Sequence, residues 1–196
     1  MGGTRLGPPR RVVSTYGLLM TKDGSAAQQH PHPSPPAGTH ELLARAIELG
    51  VQSVASGGGP FGAVVARSEA GVLVPVAEGA NQVTATNDPT AHAEVVALRA
   101  AGAALGTFHL GGCVLLASCE PCPMCLTAGL WARVDSMWFA ATREDAAASG
   151  FDDLAFYDAM AQPREQWAVP VRALVVSGRT APFDAWAQDV ARRTEY

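Results

Sequence analysis

Apolar residues recur at three- and four-residue spacing through Leu42, Leu43, Ala46, Ile47, Val51 and Val54, so one face of this stretch is built for burial. With Thr39 available as an N-cap, the pattern predicts a helix over 39–55. Gly57-Gly58-Gly59-Pro60 then interrupts the chain. Two strand-like runs follow, 61–67 and 72–78, joined through Glu69-Ala70-Gly71 as a hairpin. After Pro89 a helix is expected over 90–105, then a short buried strand at 113–117. Pro123 opens a further helix to 133, and 136–141 reads as the next strand. A short helix at 144–148, a strand at 169–176 and a helix at 181–193 complete the order. Strands alternating with helices predict a layered α/β domain around a partly parallel sheet. The chain has no internal repeat.

Residues 1–38 break the pattern. Six prolines and scattered glycines interrupt them, with no sustained apolar period, and such a stretch cannot bury enough surface to offset its ordering entropy. They read as a disordered tail before a single domain at 39–196; within the tail, 12–20 is a weak candidate for a strand. No run of about 18 apolar residues exists, which excludes a helical membrane span, and the N-terminus lacks the apolar core of a secretory signal. A cytoplasmic location is the expectation.

Charge narrows the partners. The chain carries −4 overall, but the tail holds Arg5, Arg10, Arg11 and Lys22 against Asp23, which leaves the body at −7. Every cation of that body is an arginine. A polynucleotide-binding surface draws most of its affinity from phosphate neutralisation, so this acidic body argues for a small-molecule partner.

Candidate chemistry concentrates in two segments, Asn87-Asp88-Pro89-Thr90-Ala91-His92-Ala93-Glu94 and Ser118-Cys119-Glu120-Pro121-Cys122-Pro123-Met124-Cys125. Cys122 and Cys125 are spaced to share one face of a helix, in its first turn, where the helix dipole favours thiolates. Two such thiolates bite a tetrahedral metal, and His92 is the candidate third ligand. Glu94 poses a geometric difficulty, since two residues in a regular helix are about 200° apart. The conflict disappears if the metal sits off the helix N-terminus, near its axis, so two helix N-termini are expected to face one zinc ion. The fourth coordination position is then open to water, and Glu94 is the candidate general acid and base.

Competing readings of the same residues are a redox Cys-x-x-Cys pair, a fragment of an iron–sulfur run, and a closed structural zinc site with Cys119 as its fourth ligand. Redox activity leaves His92 and Glu94 without a role, and the iron–sulfur run lacks its fourth cysteine. Cys113 reads as a core thiol; His30, His32, His40 and His109 read as incidental.

His92-Ala93-Glu94 with Pro121-Cys122-Pro123-Met124-Cys125 is the His-x-Glu and Pro-Cys-x-x-Cys pattern of zinc deaminases. The sequence resembles the cytidine-deaminase superfamily, and within it the bacterial guanine deaminases, from Gly59 to the C-terminus. Gly59-Pro60-Phe61-Gly62-Ala63, Asn81, Gly150-Phe151-Asp152-Asp153 and the terminal Glu195-Tyr196 carry the likeness beyond the zinc motif. The hairpin around 67–75 is a few residues longer than usual. The resemblance implies a three-layer α/β/α fold on a mixed five-stranded sheet, with zinc on His92, Cys122 and Cys125 and proton transfer by Glu94. It implies substrate contacts from Phe61 (stacking), Asn81, Ala93, Asp153 and Tyr196, and hydrolysis of guanine to xanthine and ammonia. It also implies a homodimer in which the C-terminal segment crosses to the partner. The alternatives it leaves open are guanosine or another aminopurine, a pterin or a triazine as substrate, tRNA adenosine, and a non-catalytic structural-zinc module.

Overall fold

The structure is a computed structural model and describes residues 34–151 and 153–189. Expectations for 1–33, Asp152 and 190–196, Tyr196 among them, lie outside the described residues. Ala37 forms an isolated parallel bridge with Val72 at the start of the second strand. Leu73 N–H donates to the Ala37 carbonyl at 2.9 Å, and Thr39 bonds back to Pro36.

Helix α1, Thr39–Ala55, is followed by strands β1, Gly62–Glu69, and β2, Val72–Ala80. Their turn places Ala70 and Gly71 at positive φ, 50° and 84°, the pair of left-handed residues that matches a hairpin's twist. Pro75 is tolerated in β2 because this is an edge strand and its register slips beside Val65 and Ala66. Next come α2, Val83–Thr86, α3, Ala93–Leu105, β3, Cys113–Cys119, α4, Pro123–Ala132, and β4, Ser136–Ala141. The chain closes with α5, Arg143–Ala148, α6, Leu154–Ala161, a 3-10 turn at Arg164–Gln166 and α7, Ala181–Gln188.

The sheet has four strands in the order β2-β1-β3-β4. β1 is antiparallel to β2 and β3, and β3 is parallel to β4, so the sheet is mixed as expected. Successive side chains of β1 and β3 fill opposite layers. Ala63, Val65, Cys113 and Leu115 pack with Ala93, Ala97, Leu98 and Ala101 of α3. Val64, Ala66, Val114 and Leu116 pack toward α1, through Leu42, Leu43, Ala46 and Leu49. Burial on both faces is why these strands read as continuous apolar runs.

Two expectations are corrected. The fifth strand, 169–176, does not form among the described residues: the segment joins no sheet and its apolar side chains are exposed, Leu174 at 84% and Val175 at 85%. A strand exists only with a neighbour to bond, and this segment makes no ladder in the single chain; Pro170 also removes one donor. The helix expected from residue 90 starts instead at Ala93. Asp88 accepts hydrogen bonds from Thr90 N–H at 2.8 Å and Thr90 Oγ1 at 2.6 Å, holding a turn that delays helix entry to His92.

Candidate metal centre and substrate cavity

The delayed start of α3 makes the site. His92 is its N-cap residue, with extended backbone at φ −66° and ψ 152°, and Glu94 falls in the first turn. Cys122 is likewise the N-cap of α4, at φ −63° and ψ 167°, and Cys125 lies one turn in. Two helix N-termini therefore face one point, and the opposition expected of His92 and Glu94 in a regular helix vanishes because His92 precedes it. Sγ of Cys122 lies 3.6 Å from Nδ1 of His92 and 3.6 Å from Sγ of Cys125, which is itself 3.6 Å from the same nitrogen. A tetrahedral zinc with bonds of about 2.0–2.3 Å to nitrogen and sulfur sets its ligand atoms roughly 3.5–3.8 Å apart. The triangle fits that ion. These residues are the metal-binding group found among the described residues. Cys119 stands outside it: its thiol donates to the Thr142 carbonyl at 3.5 Å, which removes the closed four-ligand site.

Glu94 is 7% exposed, and its Oε2 lies 3.4 Å from Sγ of Cys125. It forms the floor of a cavity of about 330 Å³ whose walls include His92, Cys122, Phe61, Asn81, Phe151 and Asp153. Four of the residues expected to meet substrate or carry the reaction thus share one cavity with two metal ligands. Ala93 does not line it; its side chain is fully buried in the core under α3. Asn81 is fixed by its surroundings. Its backbone bonds to Phe61 and Ser53, and its Oδ1 accepts the Val83 N–H at 3.2 Å, which leaves the amide NH2 for the cavity.

Several lining residues were not singled out from the sequence. Phe151 meets Phe61 edge to face, with ring centres 5.1 Å apart at 86°. Glu120 and Arg143 also line the cavity, 3.7 Å apart at Oε1 and Nη1. Phe151 sat inside a quoted motif without a role; Arg143 had no sequence signal, because only the chain reversal after β4 brings it back to the metal loop.

Residues 37–141 match the family model for the cytidine and deoxycytidylate deaminase zinc-binding region. The chain belongs to this zinc-dependent deaminase family. It is 45% identical over 159 residues to guanine deaminase of Bacillus subtilis (strain 168), covering 80% of this chain and 99% of that one. The X-ray structure of guanine deaminase from Bacillus subtilis superimposes with a TM-score of 0.73 at 44% identity, over 80% of this chain and 98% of that chain. A guanine deaminase structure from Nitrosomonas europaea gives a TM-score of 0.55 at 36% identity, over 62% of this chain and 68% of that chain. A tRNA-specific adenosine deaminase of Haemophilus influenzae is more distant, 33% identical over 118 residues, 58% of this chain and 66% of that one.

The electrostatics of this deaminase suit its metal. Hydrogen bonding from Cys125 and His92 pulls the Cys122 thiol down to about 4, against the opposing effect of burial. The same bond to Cys122, and burial, push Cys125 upward. Burial first of all raises Glu94 above the ordinary glutamate range, an environment suited to a group that must both take and return a proton.

Proposed function

We propose that this deaminase hydrolyses the free base guanine to xanthine with release of ammonia. The observation that carries the reading is the buried Glu94 carboxyl beside the His92–Cys122–Cys125 triangle, at the floor of a cavity walled by Phe61, Asn81 and Asp153. The Bacillus and Nitrosomonas relatives are guanine deaminases by name, and the match covers 99% of the Bacillus protein.

His92, Cys122 and Cys125 would hold zinc, which would supply a water with its pKa lowered to about 7. Glu94 takes a proton from the attacking water, delivers it to the ring nitrogen next to carbon 2, and transfers the second to the departing amine. The C2–N bond breaks as the C2–O bond becomes a carbonyl. Phe61 stacks on the purine, and the edge of Phe151 against it fixes the plane of that stack. The Asn81 NH2 serves an acceptor on the purine edge and the Asp153 carboxylate a ring N–H. Leaving these groups unpaired in the cavity is what discriminates against analogues. Ala93 contributes through its backbone, at the helix N-terminus between His92 and Glu94.

The same reading includes a homodimer completed by the C-terminal segment, with Tyr196 closing the partner's cavity. Support comes from the exposed apolar run: Val169, Leu174, Val175 and Val176 are 58–85% exposed, as are Phe183 and Trp186 of α7 at 74% and 50%. The outer edge of β4 has no strand beside it among the described residues. An unpaired apolar strand and an open strand edge satisfy each other between two copies. A cytoplasmic setting agrees with four unpaired cysteines. No helix among the described residues is long and apolar enough to cross a membrane.

The test is ammonia release from zinc-loaded protein offered guanine, guanosine, adenine, cytosine and cytidine in parallel. Turnover of guanine alone is the expected result. Guanosine turnover would retain the chemistry and overturn the substrate.

A further inference from the structure

Helix α6 begins at Asp153, its N-cap residue, and buries none of its own residues fully. Phe156 and Met160 are 62% and 60% exposed, so apolar packing does little to hold this helix where it stands. One residue reaches inward. The Tyr157 hydroxyl donates to the Pro121 carbonyl at 2.7 Å. Pro121 is fully buried and directly precedes the metal ligand Cys122.

The ring of Tyr157 is held in turn. The Arg143 guanidinium lies 4.7 Å from its centre, a cation–π contact, and Arg143 Nη1 lies 3.7 Å from Glu120 Oε1. The Arg143 N–H donates to the other Glu120 oxygen at 3.3 Å, while Glu120 N–H donates to Ala141 at 2.9 Å. Three chain segments therefore meet in one knot: the loop entering the metal site, the start of α5, and α6. The phenol is kept in its donating form, since burial and then Glu120 push it up to about 12.

We infer that Tyr157 is a positioning residue that fastens the cavity wall carrying Asp153 to the loop carrying Cys122. It is not itself among the cavity-lining residues and meets that lining through Arg143, so its part is to hold the two walls at a set distance. A carbonyl next to a ligand residue, held by a neutral donor on the opposite wall, fixes the Cys122 sulfur and the Asp153 carboxylate in one frame. The inference rests on the reading of Asp153 as a substrate contact for its kinetic part, and on the structure alone for its metal part.

The decisive variant is Tyr157→Phe, which keeps the ring and its contact with Arg143 and removes only the hydroxyl. In the full chain loaded with zinc, two readouts are expected to move. Zinc transfer to a chromogenic chelator accelerates by about five- to tenfold, the worth of one buried hydrogen bond. KM for guanine rises by a similar factor, with kcat changed less. Wild-type values for both, or a lowered melting temperature with both unchanged, would overturn the role. Arg143→Gln gives the same readouts if the Phe variant fails to fold. A double-mutant cycle with Asp153→Asn separates the two parts: strict additivity in kcat/KM removes the link to Asp153. Should Asp153→Asn alone keep wild-type kinetics, the substrate reading of Asp153 falls, and the zinc-transfer rate still decides the role of Tyr157.

Discussion

Glu94 shows how a single side chain takes its function from where its helix begins. At 7% exposure its charge is disfavoured, and only a site that supplies and consumes protons makes such a burial useful. Glu94→Gln keeps the volume and the fold and cannot carry a proton. The expected outcome is a fall in turnover of about 10²–10⁴-fold, with one zinc per chain still found by metal analysis. Substantial residual activity would remove Glu94 from its role. At this scale the sequence was most legible: His92, Glu94, Cys122 and Cys125 are short-range motifs whose spacing states their chemistry. Phe151 and Arg143 were not legible, because their neighbours Phe61 and Glu120 are distant in sequence.

Among elements, the approach of α3 to β2 decides where those side chains sit. Gly79 lies so close to the first turns of α3 that an added Cβ would stand 2.6 Å from Ala97 N, and nearer still to the Ala93 carbonyl. That backbone cannot give way as a flexible side chain would. Gly79→Ala is expected to cost about 1–3 kcal/mol in denaturant unfolding and to weaken zinc binding by displacing His92. Wild-type stability would show that the helix shifts freely.

On the other face, Arg45 of α1 grips Glu78 of β2 through two bonds of 2.8 Å. This hydrogen bonding holds the Glu78 carboxyl below its ordinary value of 4.5. The stabilisation is therefore present above pH 4.5 and is lost as pH falls through the depressed value. Both side chains are more than a third exposed, so the effect is small. Thermal melts of wild type and Glu78→Gln should differ slightly at neutral pH and converge in acid; a gap that persists at low pH would refute the pair.

For the whole molecule, the exposed apolar segment 169–176 is the feature that a single chain leaves unexplained. Large contiguous apolar exposure marks an interface. Leu174→Asp together with Val175→Asp is expected to shift the protein from dimer to monomer in sedimentation or light scattering. Guanine turnover should fall with it if, as proposed, the C-terminal segment of each chain completes the other's cavity. A variant that stays dimeric and fully active would exclude this segment from the interface.

Helix α1, the β1–β2 hairpin, strands β3 and β4 and the spacing of the candidate metal ligands were legible in local pattern, since period, punctuation and ligand spacing act within a few residues, whereas the short helices α2 and α6 were not read from it. Tertiary structure decided what depends on partners far along the chain. It delayed the start of α3 to Ala93 through the turn at Asp88, so that His92 could stand at a helix end rather than inside one. It turned Cys119 toward the Thr142 carbonyl, outside the group of His92, Cys122 and Cys125 that could hold a metal ion. It withheld a strand from 169–176 despite the apolar run there, because apolar composition makes a segment eager for a sheet and only a neighbouring backbone makes it a strand.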